Sequence, residues 1–122
     1  MPLATITLPF RLPGLNEYTR ACRSHPIVGA QMKKKAMEQV MAYLPKDRFE
    51  NVKEIFIIYT EPNRRRDIDN IMGFGAKVIL DALVKNGNLP DDGQKYVSSL
   101  TQSVDRGSAG NEINIGVHYE SN

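Results

Sequence analysis

A continuous apolar stripe in the second half of the chain limits the folds that it can adopt. Between residues 69 and 85, apolar or small side chains recur at i, i+4, i+7, i+8, i+11 and i+12, at Ile71, Gly75, Val78, Ile79, Ala82 and Leu83. This spacing is typical of a helix with one buried face. We predict a helix from Asp69 to Lys85, ended by Asn86-Gly87. The stripe must face a sheet.

Strand patterns lie on both sides of this helix. The alternation at Leu3–Leu8, stopped by Pro9, predicts a first strand. The apolar run in residues 52–59 is typical of a central strand buried on both faces. We predict two more strands at 95–104 and 112–119, joined by a hairpin loop at 106–110. The last strand has the clearest alternation, at Ile113, Ile115, Val117 and Tyr119.

The first half of the chain predicts one further helix. Apolar residues at i, i+3, i+4 and i+7 place it at residues 29–44, before Pro45. Residues 9–28 are predicted to form a long irregular connection, available to nucleic acid through Arg11, Tyr18, Arg20, Arg23 and His25. The resulting order, βαβαββ, predicts a single α+β domain over residues 1–122, with two helices packed on a mixed sheet.

Charge is distributed unevenly along the chain. Residues 11–66 contain 12 Lys/Arg against 6 Asp/Glu (+6), and residues 67–122 contain 4 against 8 (−4), which together give the net charge of +2. This asymmetry favours a basic footprint for a polyanion beside an acidic metal-binding patch. The alternative is an uneven solvated surface, which is the interpretation that we favour for Lys33, Lys34 and Lys35.

One short motif combines both kinds of charge. Arg64, Arg65 and Arg66 precede Asp67 and Asp69, and Asn70 follows at once. Guanidinium groups match the oxygens of phosphate, and clustered carboxylates suit Mg²⁺. The motif therefore predicts a site where a metal ion and a phosphate meet, with Arg64, Arg65, Arg66 and Asn70 binding DNA. The alternative is that one aspartate simply caps the helix.

A second face of the predicted helix carries Lys77. Successive residues are about 100° apart, so Asn70, Gly73, Lys77 and Asp81 fall together. Lys77 is a candidate for binding a phosphate oxygen, and a surface pair with Asp81 is the alternative. Because Gly costs about 1 kcal/mol inside a helix, Gly73 and Gly75 predict close approach by another backbone or a late helix start.

The Arg64–Asn70 motif, Lys77 with Asp81-Ala82-Leu83, and Asp91-Asp92-Gly93-Gln94 together resemble the RusA family of Holliday junction resolvases. The resemblance implies a small homodimeric, Mg²⁺-dependent endonuclease of phage or prophage type that cuts four-way DNA junctions. It implies that Asp67, Asp69 and Asp92 are catalytic metal ligands, with Mn²⁺ as a substitute metal, and that Lys77 is the catalytic lysine. The interval from Asn70 to Lys77 is about four residues longer than in the best-studied member, roughly one helical turn.

Two alternatives keep part of this interpretation. The same chemistry would serve forks or flaps, and a non-catalytic DNA-binding dimer would need only the basic face.

Chain geometry leaves the position of Asp92 open. The predicted helix carries the chain about 24 Å from the paired aspartates, and the seven steps from Lys85 to Asp92 span roughly 23 Å when fully extended. We expect Asp92 to return within the same subunit, and donation from the partner is the alternative.

The chain has one cysteine, Cys22, which excludes an internal disulfide and favours the reducing cytoplasm. It has no apolar stretch near the roughly 20 residues that span a bilayer, so we expect a soluble, cytoplasmic protein with no membrane partner.

Overall fold

The computed structural model describes residues 3–106 and 110–120 and confirms an α+β fold. Its elements are β1 (Leu3–Leu8), α1 (Leu15–Ser24), α2 (Pro26–Met41), β2 (Glu54–Glu61), α3 (Ile68–Lys85), β3 (Leu100–Arg106) and β4 (Glu112–His118). The order is therefore βααβαββ, with one helix more than the sequence predicted. None of the helices in the described ranges is long and apolar enough to cross a membrane.

The additional helix, α1, lies where we predicted an irregular connection. Gly14 precedes it, and the Glu17 carboxylate accepts a hydrogen bond from the Gly14 N–H at 3.4 Å. His25 ends α1 and begins α2, because its Nδ1 accepts from the Ile27 N–H at 3.2 Å while Pro26 takes the first helical position. The prolines and glycines that suggested a loop mark the ends of two helices.

The four strands form one mixed sheet in the order β1-β4-β2-β3. β4 pairs antiparallel with both β1 and β2, and β2 pairs parallel with β3. The predicted hairpin of the last two strands is wrong, because β2 lies between them. Residues 107–109 of its predicted loop lie outside the described ranges. Since β2 and β3 are parallel, α3 is the crossover that returns the chain to the end of the sheet at which β2 begins.

One face of the sheet carries the core. Along β2 the buried residues alternate, with Ile55, Ile57 and Tyr59 inside and Phe56 and Ile58 half-buried on the other face. The prediction that this strand is buried on both faces is therefore wrong. Helices α2 and α3 contribute to the core on the inner face, and α1 packs against both of those helices.

The two glycines of α3 leave room for side chains of neighbouring elements. The helix does not start late, because it begins at Ile68. A Cβ atom on Gly75 would lie 2.6 Å from the Tyr59 hydroxyl oxygen, so this glycine lets β2 and α3 approach. A Cβ atom on Gly73 would meet the Leu15 side chain at 2.9 Å. The sequence predicted close approach by another backbone or a late helix start. Both alternatives are wrong, because the atoms nearest to the two glycines belong to side chains.

Candidate nucleic-acid and metal site

The Arg-Asp loop, residues 62–67, connects β2 to α3 and is anchored by a buried ion pair. Glu61 is 2% exposed and binds Arg66, with Nε to Oε1 at 2.9 Å and Nη2 to Oε2 at 2.7 Å. Arg66 also donates from Nη1 to the Leu12 carbonyl oxygen at 2.8 Å. Arg11 reaches the same carboxylate at 3.4 Å. The position of the loop is set by this pair.

The three arginines of the motif therefore have different environments. Arg66 is only 13% exposed, and its guanidinium is engaged inside the protein. Arg64 and Arg65 are exposed, and the Arg65 N–H donates to the Asn63 side chain at 2.9 Å, which tightens the turn. Arg64 and Arg65 are thus the members of the cluster that present their charge to solvent.

Asp67 and Asp69 lie at the start of α3, which is where the helix dipole favours negative charge. Asp67 has the extended backbone of an N-cap residue, with φ −69° and ψ 155°, but its side chain makes no capping hydrogen bond. Asp69 accepts a hydrogen bond from its neighbour, the Asn70 N–H, at 3.0 Å. Both carboxylates are exposed. The capping alternative therefore does not account for the Asp67 carboxylate.

Asn70 joins two helices. Its Oδ1 accepts from the Asn16 N–H in the first turn of α1 at 2.7 Å. A Cβ atom on Gly14 would lie 2.7 Å from the same oxygen, so glycine is needed there for the contact. The predicted DNA-binding role of Asn70 stays a prediction, and the structure adds a capping role.

Lys77 is exposed on α3, about 12 Å along the helix axis from Asp69 at 1.5 Å per residue. The suggested pair with Asp81 does not form, because Asp81 binds Lys33 of α2 at 2.6 Å. In the described part of the chain, Lys77 has no ion-pair partner. The structure therefore does not bring Lys77 to the paired aspartates.

Asp92 lies at the opposite end of the sheet from Asp67. The backbone at Asn88 binds Phe49, and Val97 forms a bridge with Val52, just before β2 begins. Pro90 and Lys95, on either side of Asp92, line a groove with the segment from Arg48 to Lys53. Since α3 has 18 residues, about 27 Å of helix separates this region from Asp67. The expectation that Asp92 returns to the same site within one subunit is wrong.

Asp91 and Asp92 differ locally. The Asp91 Oδ1 accepts from the Asp92 N–H at 2.8 Å, so Asp91 stabilises its own turn. Within residues 3–106 and 110–120, no three His, Cys, Asp or Glu side chains come together to hold a metal ion. Asp67 and Asp69 are the only pair of the proposed ligands that the fold of one chain keeps together.

A groove of about 310 Å³ lies beside Asp67, between the Arg-Asp loop and the end of β3. Sequence reasoning missed one of its residues, Arg106, which is exposed at the last position of β3. Arg106 is directly opposite Glu61 in the parallel register. No sequence signal pointed to Arg106, because its place beside the motif depends on the pairing of two strands that are far apart in the chain. The groove is lined by Asn63, Arg64, Arg66, Asp67, Ile68, Ile71, Val104 and Arg106.

Two tyrosines outside this groove have raised pKa values. Burial raises the pKa of Tyr59, whose hydroxyl donates to Gln102 at 2.6 Å. A side-chain hydrogen bond with Cys22 is the largest cause of the raised pKa of Tyr18, followed by burial. Both tyrosines are therefore neutral at physiological pH, and neither contributes charge to the site.

Comparison with protein-family models gave no match, and comparison with curated proteins gave no relative. The resemblance to the RusA family therefore stays a prediction from the residues of this chain.

Proposed function

We propose that this protein is a Mg²⁺-dependent endonuclease that hydrolyses phosphodiester bonds in branched DNA, with the four-way junction of recombination and repair as its substrate. The observation that carries the proposal is the exposed pair Asp67 and Asp69 beside exposed Arg64 and Arg65, on a loop anchored by the Glu61–Arg66 ion pair. Exposed carboxylates and guanidinium groups thus lie within one short anchored segment, which supports a site for a metal ion and a DNA strand.

The donor atoms of the site fit Mg²⁺. This ion prefers oxygen ligands and is usually bound by one or two carboxylates together with substrate phosphate and water, which two exposed aspartates can provide. Mn²⁺ accepts the same ligands. A bound metal of this kind polarises a phosphoryl oxygen and lowers the pKa of a bound water. The role of the chain is to hold Asp67 and Asp69 in place and to bring the phosphate backbone to them through Arg64 and Arg65.

A homodimer would reconcile the position of Asp92 with a role in catalysis. Within one chain, the residues around Asp92 lie near the start of β2 and Asp67 follows its end, so a third ligand would come from Asp92 of the partner subunit. A two-fold axis would then create two equivalent composite sites. A four-way junction presents equivalent strands, and paired sites would cut two of them.

The exposed thiol of Cys22 suits the reducing cytoplasm, where we place the protein.

The test is cleavage of a four-way junction, a fork and a linear duplex at equal concentration, with and without Mg²⁺. We expect Mg²⁺-dependent cuts in the junction above all. Asp67→Asn and Asp69→Asn should abolish cleavage while binding survives or tightens, because two neighbouring carboxylates repel DNA phosphate in the absence of metal. Glu38→Gln, a change at an exposed carboxylate on α2, is the matched control. Near-normal cleavage by either site mutant would exclude that residue as a ligand.

Asp92 is tested against its neighbour. Asp92→Asn should be inactive, and Asp91→Asn should be milder because its carboxylate only stabilises the turn. The opposite result would transfer the ligand role to Asp91.

In the comparison of DNA substrates, preferential cutting of the fork would instead identify a nuclease of replication intermediates.

A second candidate is a DNA-binding dimer without catalysis. It is favoured by the observation that no three metal-ligating side chains gather within the described part of one chain. This protein would bind branched DNA through Arg64 and Arg65 and would leave it intact with Mg²⁺ or Mn²⁺. A complete lack of nicking by protein that binds the junction would establish this candidate.

A further inference from the structure

We propose that Arg106 is a phosphate-binding residue and that the groove beside it holds one sugar–phosphate unit of the DNA strand next to Asp67. This inference rests on the proposed function and adds to it a residue from a different strand of the sheet. The parallel pairing of β2 and β3 places the C-terminal ends of both strands side by side at one end of the sheet. Ligands of open sheets with parallel strands bind at this end, outside the carboxyl ends of the strands.

The charges around the groove leave Arg106 available to a ligand. It lies opposite Glu61, but that carboxylate is occupied by Arg66 and Arg11. Arg106 makes no ion pair among the described residues. Arg106 and Arg64 line the groove together with Asp67, so its lining has more positive than negative charge. An arginine fork of this kind matches the oxygens of a phosphodiester.

The apolar part of the groove favours a nucleic acid strand over a free inorganic anion. Ile68 is 62% exposed and lies between the two aspartates, half-buried Val104 adds to the apolar lining, and Ile71 lies beneath them at 4% exposure. A phosphate held by Arg64 and Arg106 would place its attached deoxyribose against these side chains. The volume of about 310 Å³ is at the small end of the range for ligand sites, which suits a single nucleotide unit.

The experiment is the salt dependence of binding to a four-way junction, measured without divalent metal so that the DNA stays intact. We expect Arg106→Ala and Arg106→Gln to weaken binding roughly tenfold and to reduce the log–log slope by about 0.9, as for one lost phosphate contact. Arg106→Lys keeps the charge and should retain most of the slope. Lys34→Ala, which removes one exposed charge from α2, is the matched control and should leave the slope unchanged.

The outcomes separate this inference from the proposed function. If wild-type protein binds the junction and Arg106→Gln has the wild-type affinity and slope, the groove inference is refuted whatever the cleavage results are. If the Arg106 variants lose the contact but wild-type protein cuts no DNA with Mg²⁺, the groove is supported and the nuclease is not. An equal loss in the Lys34→Ala control would show a general charge effect and would also refute a specific site.

Discussion

Removal of the Arg66 guanidinium should destabilise the whole domain, because Glu61 would be left as a buried carboxylate. Glu61 is 2% exposed, and Arg66 supplies two of its close contacts at 2.9 and 2.7 Å, whereas Arg11 is farther away at 3.4 Å. Loss of one partner of a buried pair typically costs about 3–5 kcal/mol. For a domain of this size that corresponds to a fall in Tm of roughly 10–20 °C.

The assay is urea unfolding followed by circular dichroism, for Arg66→Ala, Glu61→Gln and the double mutant. The double mutant should be more stable than Arg66→Ala alone, because no unpaired charge stays buried. Arg65→Ala removes an exposed arginine one position away and should change the free energy of unfolding by less than about 0.5 kcal/mol. A loss below about 1 kcal/mol in Arg66→Ala, or additive effects in the double mutant, would refute the anchoring role of the pair.

Two further predictions concern subunit contributions and packing. Mixing inactive Asp69→Asn and Asp92→Asn proteins should restore cleavage of one strand, because a heterodimer has one intact composite site; no recovery after verified subunit exchange, or a monomer by light scattering, would contradict the dimer model. Gly75→Ala should cost about 1–3 kcal/mol in thermal unfolding, because its methyl group would collide with the buried Tyr59 ring. Gly73→Ala meets only the end of a flexible side chain, so its gain in helix propensity should offset the contact, and equal destabilisation by both changes would contradict this difference.

Local patterns in the sequence were sufficient for the α+β class and for the longest elements. The helix predicted at 69–85 is observed at Ile68–Lys85, because a stripe of apolar residues at helical spacing has only one way to be buried on a sheet. The strand predicted at 52–59 is observed at Glu54–Glu61. The helix predicted at 29–44 is observed at Pro26–Met41, since His25 and Pro26 begin it earlier. By contrast, α1 was missed because it is short and its ends contain the glycine and proline of a turn.

The arrangement of the site depended on strand pairing, which has no local signal in the sequence. The residue types from Arg64 to Asn70 were enough to predict a surface that combines arginines and carboxylates. The partner of Arg66 is Glu61, which lies only five residues earlier in the chain. The neighbour of the motif across the sheet is Arg106, because β2 and β3 pair in parallel. That pairing also makes α3 a crossover and carries Asp92 to the far end of the sheet. The sequence thus determined which chemistry is present, whereas the tertiary structure decided which groups meet, because contacts between distant segments depend on how the sheet is assembled.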